Sequence, residues 1–299
     1  MPETPPTTPD RTGEIHDIGY RHYDGPRLGA AYIQRSLFVE TLRGTYGLGR
    51  AARSKIVPLA LLAVISLPAA VIAIVTGYFQ MPELPLNYTG YVVALQVAVT
   101  IFTGAQSPAV MSRDLRFRVA PLYFSRPLSP QQYVQAKYAG MAVALFILMG
   151  VPLTLLFVGA LLSELPLGEQ VPDYLRALAG AAMHALVLAG IGLLVAAMTP
   201  RRGLGVAAVV GVLLVLSGFQ VAVMAMAIEF GNDRFTGYTG MISPYTLVDG
   251  VVSGLLGADS STLAGPPGAL GSALFVALVV VVVAACYTGL VVRYRKALS

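Results

Sequence analysis

The chain has 299 residues, of which 56% are hydrophobic and only 12% are charged. Soluble domains carry about 25% charged residues, so this composition excludes an ordinary soluble globular protein. The single cysteine, Cys286, excludes a disulfide within the chain. The formal net charge is +5, and the distribution of the basic residues along the chain is more informative than their number.

Six apolar segments are long enough to cross a bilayer. A crossing helix needs roughly 20 apolar residues to span a hydrocarbon core of about 30 Å. Because lipid offers no hydrogen-bond partners to the backbone, such segments must be helical. We therefore predict an all-α polytopic membrane protein with transmembrane helices at residues 56–79, 88–111, 138–162, 175–198, 204–228 and 270–292.

The basic residues predict the orientation of these helices. Eighteen of the 20 Lys and Arg residues lie in segments 1–55, 112–137, 199–203 and 293–299. The other side holds only Arg176 and Arg234, together with eight of the 15 acidic residues. Basic loops remain in the cytoplasm, so we expect both termini to be cytoplasmic. Basic loops beside anionic lipid also explain the positive charge without a nucleic-acid partner.

Residues 1–14 are rich in Pro and Thr, and we predict that residues 1–30 form a cytoplasmic tail that is largely disordered. Residues 31–299 then form a single membrane domain, which begins with an amphipathic helix at 31–47. This helix carries one apolar stripe, formed by Ile33, Leu37, Phe38, Leu42 and Tyr46. A helix of this kind before a transmembrane segment is typical of the membrane interface, although packing on a partner protein is the alternative.

The longest inner loop, residues 112–137, contains a helix start. Ser129 is a capping residue and Pro130 follows it at the first helical position. We expect the resulting helix to continue through Tyr133 and Lys137 into the third transmembrane segment.

A second Ser-Pro pair starts a short helix on the outer side. Ser243 and Pro244 precede apolar residues at helical spacing, and Gly257 marks the predicted end. At about 12–15 residues, this helix is too short to cross the membrane. We therefore predict an extracellular re-entrant segment between the fifth and sixth transmembrane helices, with Asp249 at the surface or on a polar partner.

Several kinds of chemistry are missing from the sequence. It contains no Gly-x-x-x-x-Gly-Lys-Ser/Thr phosphate-binding loop. No Asp, Glu, Lys or Arg lies deep in a predicted transmembrane segment, where ion-coupled carriers usually need one. His184 is the only deep titratable group, and we expect it to form hydrogen bonds between helices. The sequence therefore predicts neither an enzyme nor a cofactor site within this chain.

This layout resembles the permease subunit of an ABC-2 type ABC transporter. The segment Ser125-Arg126-Pro127-Leu128-Ser129, followed by Tyr133 and Lys137, is similar to the family's entry into its third transmembrane helix. Residues 243–257 are similar to its outer re-entrant helix. Residues 15–27 resemble the tail of actinobacterial members. The high Arg content relative to Lys agrees with this, because it is typical of a GC-rich bacterial genome.

The resemblance implies a function and partners. Two permease subunits, identical or different, would pair in the bacterial cytoplasmic membrane and export a substrate. Separate ATP-binding subunits, which hold ATP and Mg²⁺, would dock beneath them. We expect ATPase coupling on the inner loop at Arg113, Asp114, Arg116, Arg118, Phe124 and Arg126, with help from residues 15–27, because this is the only sizeable inner loop between transmembrane segments. The alternative is that its arginines only keep the loop in the cytoplasm.

A transport pathway would be lined by polar residues of the second and fifth transmembrane helices. These residues recur on one helical face, and they are Gln96, Thr100, Thr103, Gln106, Ser217, Gln220 and Met224. Hydrogen bonding between helices is the alternative role. We expect an extracellular gate formed by Pro244, Leu247, Val251 and Leu255. Glycines 250, 254 and 257 should give this segment one smooth packing face.

Two other functions fit the same layout. One is a secondary transporter or channel, which the missing deep charges argue against. The other is a membrane scaffold subunit that transports nothing. Substrate-stimulated ATPase activity in a partner subunit would distinguish a permease from a scaffold.

Overall fold

The computed structural model describes residues 19, 25, 28–112, 114, 117, 123, 125, 128–199, 201–260 and 265–296, without the side chains of residues 202 and 233. The part of the chain described in this way is helical and contains no strand. Its α-helices are α1 (Ala30–Thr45), α2 (Arg53–Tyr78), α3 (Tyr88–Ala94), α4 (Gln96–Ser107), α5 (Pro130–Leu162), α6 (Leu167–Met198), α7 (Arg202–Glu229), α8 (Asp233–Tyr238), α9 (Pro244–Leu256) and α10 (Gly268–Lys296).

Several predictions fall on the remaining positions. The tail of residues 1–30 lies almost entirely outside the described residues. So do five of the predicted coupling residues, which are Arg113, Arg116, Arg118, Phe124 and Arg126.

Five helices are individually long and apolar enough to cross a membrane, namely α2, α5, α6, α7 and α10. The pair α3–α4 reaches the same length if the two are counted as one broken segment. The described residues are therefore those of an all-helical membrane protein, and they include five or six candidate membrane-spanning helices. Helices α5 and α6 form the centre of the bundle, since 56% and 61% of their apolar windows are buried, against 17–22% for α2, α7 and α10.

The predicted second transmembrane segment is not one continuous helix. It breaks at Leu95, whose backbone angles of φ −98° and ψ 15° bend α3 from α4 by 58°. The bend places α3 against α6, where the Tyr88 hydroxyl donates to Gln170 Oε1 at 2.7 Å. Helix α4 instead packs along α7 and ends in a π-helical turn, Pro108–Ser112. Because neither Pro nor Gly marks Leu95, the sequence carries no sign of this break.

Helix α1 packs on α5 through its apolar stripe. Leu37 is buried, and Ile33, Phe38 and Leu42 pack against the same core. Tyr46, at the end of the stripe, donates a hydrogen bond to the Ala144 carbonyl at 2.8 Å. Burial raises the pKa of Tyr46 well above its ordinary value, so the hydroxyl keeps its proton for this bond. The predicted stripe therefore faces the bundle.

The start of α5 agrees with the sequence. Ser129 Oγ accepts from the Gln132 amide at 3.2 Å, and the Gln132 side chain accepts from the Ser129 amide at 2.9 Å, which together make a capping box. The helix has 33 residues and is about 50 Å long. Helices α5 and α6 extend beyond the predicted transmembrane segments at 138–162 and 175–198 into polar sequence, and α5 runs from Pro130 through Tyr133 and Lys137 as expected.

The bundle has two distinct ends. Helix α1, the start of α5 and the end of α10 lie together at one end, where Gln34 bonds Gln135 and the Tyr133 and Tyr294 rings are 5.0 Å apart. The starts of α3, α6 and α10 lie at the other end, together with α9. We call these the α1 end and the α9 end.

Candidate functional site

A buried ion pair lies at the α1 end, and it includes the one predicted coupling residue that the structure describes. Lys137 Nζ is 3.1 Å from Asp114 Oδ2, and each side chain is only 7% exposed. The Tyr133 hydroxyl donates a second hydrogen bond to the same carboxylate oxygen at 2.5 Å. Asp114 follows the π-helical turn, whereas Lys137 and Tyr133 lie on α5. The inner loop is therefore tied to α5 where it begins.

Tyr294 extends this cluster to the end of α10. Its ring packs on Tyr133, and its hydroxyl donates to the Met111 carbonyl at 3.0 Å. We call Asp114, Tyr133, Lys137 and Tyr294 the inner joint. Burying two charges is costly unless both are paired and hydrogen-bonded, and this carboxylate has two partners. The inner joint links the first residues of the inner loop to two membrane helices.

The sequence points to Asp114 as a site residue, but not to Tyr133, Lys137 or Tyr294 as its neighbours in one site. One signal was present, because Asp114 is the only acidic residue between positions 112 and 137, among several arginines. Asp114 pairs with Lys137 because α5 packs beside the start of the loop. The spacing of residues in the sequence does not predict this packing.

A second polar cluster holds the first turn of α9. The Tyr245 hydroxyl shares a 2.7 Å hydrogen bond with Thr100 of α4. The Ser243 and Ser217 hydroxyls are 3.1 Å apart, which connects the cap of α9 to α7. Two of the predicted pathway residues, Thr100 and Ser217, thus form hydrogen bonds between helices at this place.

His184 connects α9 to α6, as expected for a histidine between helices. Its Nδ1 lies 2.9 Å from the Gly180 carbonyl oxygen, and its Nε2 lies 3.1 Å from the Tyr245 carbonyl oxygen. Both carbonyls are acceptors, so both contacts can be hydrogen bonds only while the ring carries two protons. Asp249 of α9 lines the same small cavity.

Asp249 corrects one expectation from the sequence. It is 2% exposed and accepts a hydrogen bond from Ser260 Oγ at 3.2 Å. It therefore has a polar partner, as predicted, but it lies inside the protein beside His184. His184 is not the only titratable group in this part of the bundle.

The remaining predicted pathway residues have different environments. Thr103 is buried and bonds its own helix at the Val99 carbonyl. Gln106 is buried in the last turn of α4, while Gln96 is half-buried at the break after Leu95. On α7, the buried Gln220 amide lies 3.6 Å from Met224 Sδ. These residues lie on α4 and α7, which pack on each other.

The predicted gate residues lie on α9, which begins at Pro244 and ends at Gly257 in a left-handed conformation with φ 66°. Pro244, Leu247 and Val251 are buried, whereas Leu255 is 64% exposed and so lies outside the packed part of the segment. Leu247 and Val251 pack with Phe275 of α10.

The glycines of α9 allow this close packing in part. A Cβ atom on Gly250 would lie 2.3 Å from Phe275 Cε1, and one on Gly254 would lie 2.4 Å from Ser272 Oγ. Both glycines therefore face α10. Gly257 has open space around it, so its place in the predicted packing face is wrong, and it acts as the helix stop.

Within the described residues, no group of three or more His, Cys, Asp and Glu side chains is arranged to hold a metal ion. Comparison of the chain with known protein-family models finds no match, and comparison with curated protein sequences finds none either. The case for a function therefore depends on the layout of the chain and on the two polar clusters.

The inner joint generates a stability prediction. Lys137→Met should destabilise the protein by about 3–5 kcal/mol, because it leaves the Asp114 carboxylate buried without its counter-charge. Asp114→Asn combined with Lys137→Met should recover most of this loss. SDS-unfolding titrations in mixed micelles would measure both free energies.

The exposed pair Arg176–Asp173 provides the control, with side chains 37% and 49% exposed and a 2.7 Å contact. Arg176→Gln should cost less than about 1 kcal/mol. If Lys137→Met costs no more than Arg176→Gln, the inner joint does not stabilise the bundle.

Proposed function

We propose that this chain is the permease subunit of an ABC-2 type transporter, located in the bacterial cytoplasmic membrane with both termini in the cytoplasm. One observation carries the proposal, namely the order of elements along the chain. An amphipathic helix precedes the membrane helices, and a buried helix of half-membrane length lies between the last two of them. The 18 basic residues assigned to one side support the orientation.

The proposed transporter needs further subunits. A second permease chain, identical or different, pairs with this one, and two ATP-binding subunits supply ATP, Mg²⁺ and the energy of hydrolysis. Their docking surface is the inner loop from Arg113 to Arg126. The inner joint supports this assignment, because a loop fixed to α5 and α10 transmits displacement to membrane helices instead of absorbing it.

The substrate pathway is proposed to lie along α4 and α7, with α9 closing it at the α9 end. Three contacts support a gating role for α9, because they hold its first turn against α4, α6 and α7 at once. Movement of any of these three helices then shifts the first turn of α9. Pro244, Leu247 and Val251 form its buried face, and export is the proposed direction.

One observation favours the second candidate function, an ion-coupled secondary transporter. Asp249 and His184 are buried beside one cavity, and carriers that bind protons or cations use such groups. This candidate requires no ATPase partner, so a test for a co-purifying ATPase distinguishes the two functions.

Purification of the chain from its native host in mild detergent tests the proposal. The chain should bring with it a soluble protein that has a phosphate-binding loop, and the chain alone should not hydrolyse ATP. Arg116→Glu should reduce this co-purification at least severalfold, since it reverses a charge on the proposed docking loop. Arg201→Glu reverses an exposed charge on another predicted inner segment and provides the control.

Two results would contradict the permease proposal. One is an ATPase activity that belongs to the purified chain itself. The other is a chain that purifies without any ATPase under conditions that preserve its membrane partners. Equal effects of the two charge reversals would remove the docking role of the loop and leave the family proposal standing.

A disulfide between α7 and α9 tests the gate. Ser217→Cys with Ser243→Cys replaces two hydroxyls that are 3.1 Å apart, in a Cys286→Ala background. Oxidation should stop the ATP-driven cycle of the assembled transporter without dissociating it, and reduction should restore it. Gly77→Cys with Ser163→Cys crosslinks α2 to the end of α5 as a control, since a Cβ atom at position 77 would lie 4.0 Å from Ser163 Cβ, and this disulfide should have little effect. Full activity with the α7–α9 disulfide formed would make α9 a static lid.

A further inference from the structure

An open groove of about 590 Å³ runs along the outward side of α1 and the turn that follows it. Among the described residues, Arg35, Arg43 and Arg50 line it together with one carboxylate, that of Glu40. Arg35 and Arg43 are eight residues apart on one face of α1, which separates them by about 12 Å along the helix axis. This basic surface is named here the α1 groove.

The turn after α1 brings the third arginine into the groove. The Leu48 amide bonds the Arg43 carbonyl at 2.8 Å and the Gly47 amide bonds the Gly44 carbonyl at 3.1 Å, which is a Schellman motif. Gly47 has φ 69°, and the chain then reverses toward α1. The Arg50 guanidinium lies over Gly44, where a Cβ atom would be 3.0 Å from its Nη2. The absence of a side chain at position 44 leaves room for the guanidinium there.

Apolar side chains complete the lining. Tyr32, Val39 and Leu48 line the α1 groove and are all exposed, Tyr32 by 54%. Helix α2 follows directly and presents exposed Ile56 and Val57, and only 17% of its apolar window is buried. A surface of this kind requires lipid around it. The groove therefore joins a cluster of guanidinium groups to an acyl-chain environment.

Arginines next to exposed apolar side chains favour an anionic phospholipid over a soluble anion. A soluble anion uses the arginines and leaves the apolar lining exposed to water. An anionic phospholipid uses both, because its phosphate accepts hydrogen bonds from guanidinium groups while its acyl chains cover apolar side chains. Clusters of basic residues next to a membrane helix are typical of anionic headgroup binding.

We propose that the α1 groove is a binding site for one anionic phospholipid, with its phosphate held by Arg35, Arg43 and Arg50. The bound lipid fixes the position of α1 against the membrane surface. The site does not depend on the permease function, since it uses only α1, its turn and the start of α2.

Native mass spectrometry of the purified full-length chain with added phosphatidylglycerol tests the site. The wild type should retain one phosphatidylglycerol molecule more tightly than phosphatidylcholine, whose headgroup has no net charge. Arg35→Gln with Arg43→Gln should weaken phosphatidylglycerol binding at least tenfold. Arg295→Gln with Lys296→Gln removes the same charge from exposed positions at the end of α10 and should change binding less than twofold.

Three results would overturn the proposal. Equal loss in both double variants would mean that total charge attracts the lipid without a site. Displacement of phosphatidylglycerol by millimolar inorganic phosphate would assign the groove to a soluble anion. Unchanged lipid binding with loss of a co-purifying ATPase would assign it to a protein partner. If the double variant does not fold, Arg50→Gln makes the same comparison at the turn, with a smaller expected loss of severalfold.

Discussion

The constraint on which this structure depends is that a polar group inside lipid can find its partner only within the protein. Tyrosine hydroxyls show how the chain meets it. Those of Tyr46, Tyr91, Tyr138 and Tyr294 each donate to a backbone carbonyl oxygen of another segment. A helical carbonyl retains a second lone pair after its own helix bond, so each of these contacts fastens two segments together without disrupting either.

The same constraint shapes the two polar clusters. At the α1 end, a buried lysine and aspartate pair with each other and with Tyr133, which fixes the inner loop to α5 and α10. At the α9 end, a helix too short to cross the membrane is held at its first turn by α4, α6 and α7. In the proposed permease, energy enters at the first cluster and the pathway closes at the second. Helices α5 and α6, the most buried of the bundle, lie between them.

Much of this fold follows from the sequence because its signals are local. Apolar length predicts the long helices, Ser129-Pro130 and Ser243-Pro244 predict two helix starts, and Gly257 predicts a helix stop. The break at Leu95 has no local signal, since it arises from the different neighbours of α3 and α4. The inner joint and the burial of Asp249 likewise depend on contacts between distant segments. The sequence therefore predicted the elements and part of the candidate sites, but not the partners that those sites use.

The central claim is that the α1 end lies in the cytoplasm and the α9 end outside. Single cysteines in a Cys286→Ala background test it most directly with a membrane-impermeant maleimide on intact cells. Positions Glu40 and Lys296 are exposed at the α1 end, and Gly168 and Asp259 are exposed at the other. Our account predicts labelling at 168 and 259 only, with 40 and 296 labelled after the membrane is permeabilised. Labelling of position 40 or 296 in intact cells would contradict it.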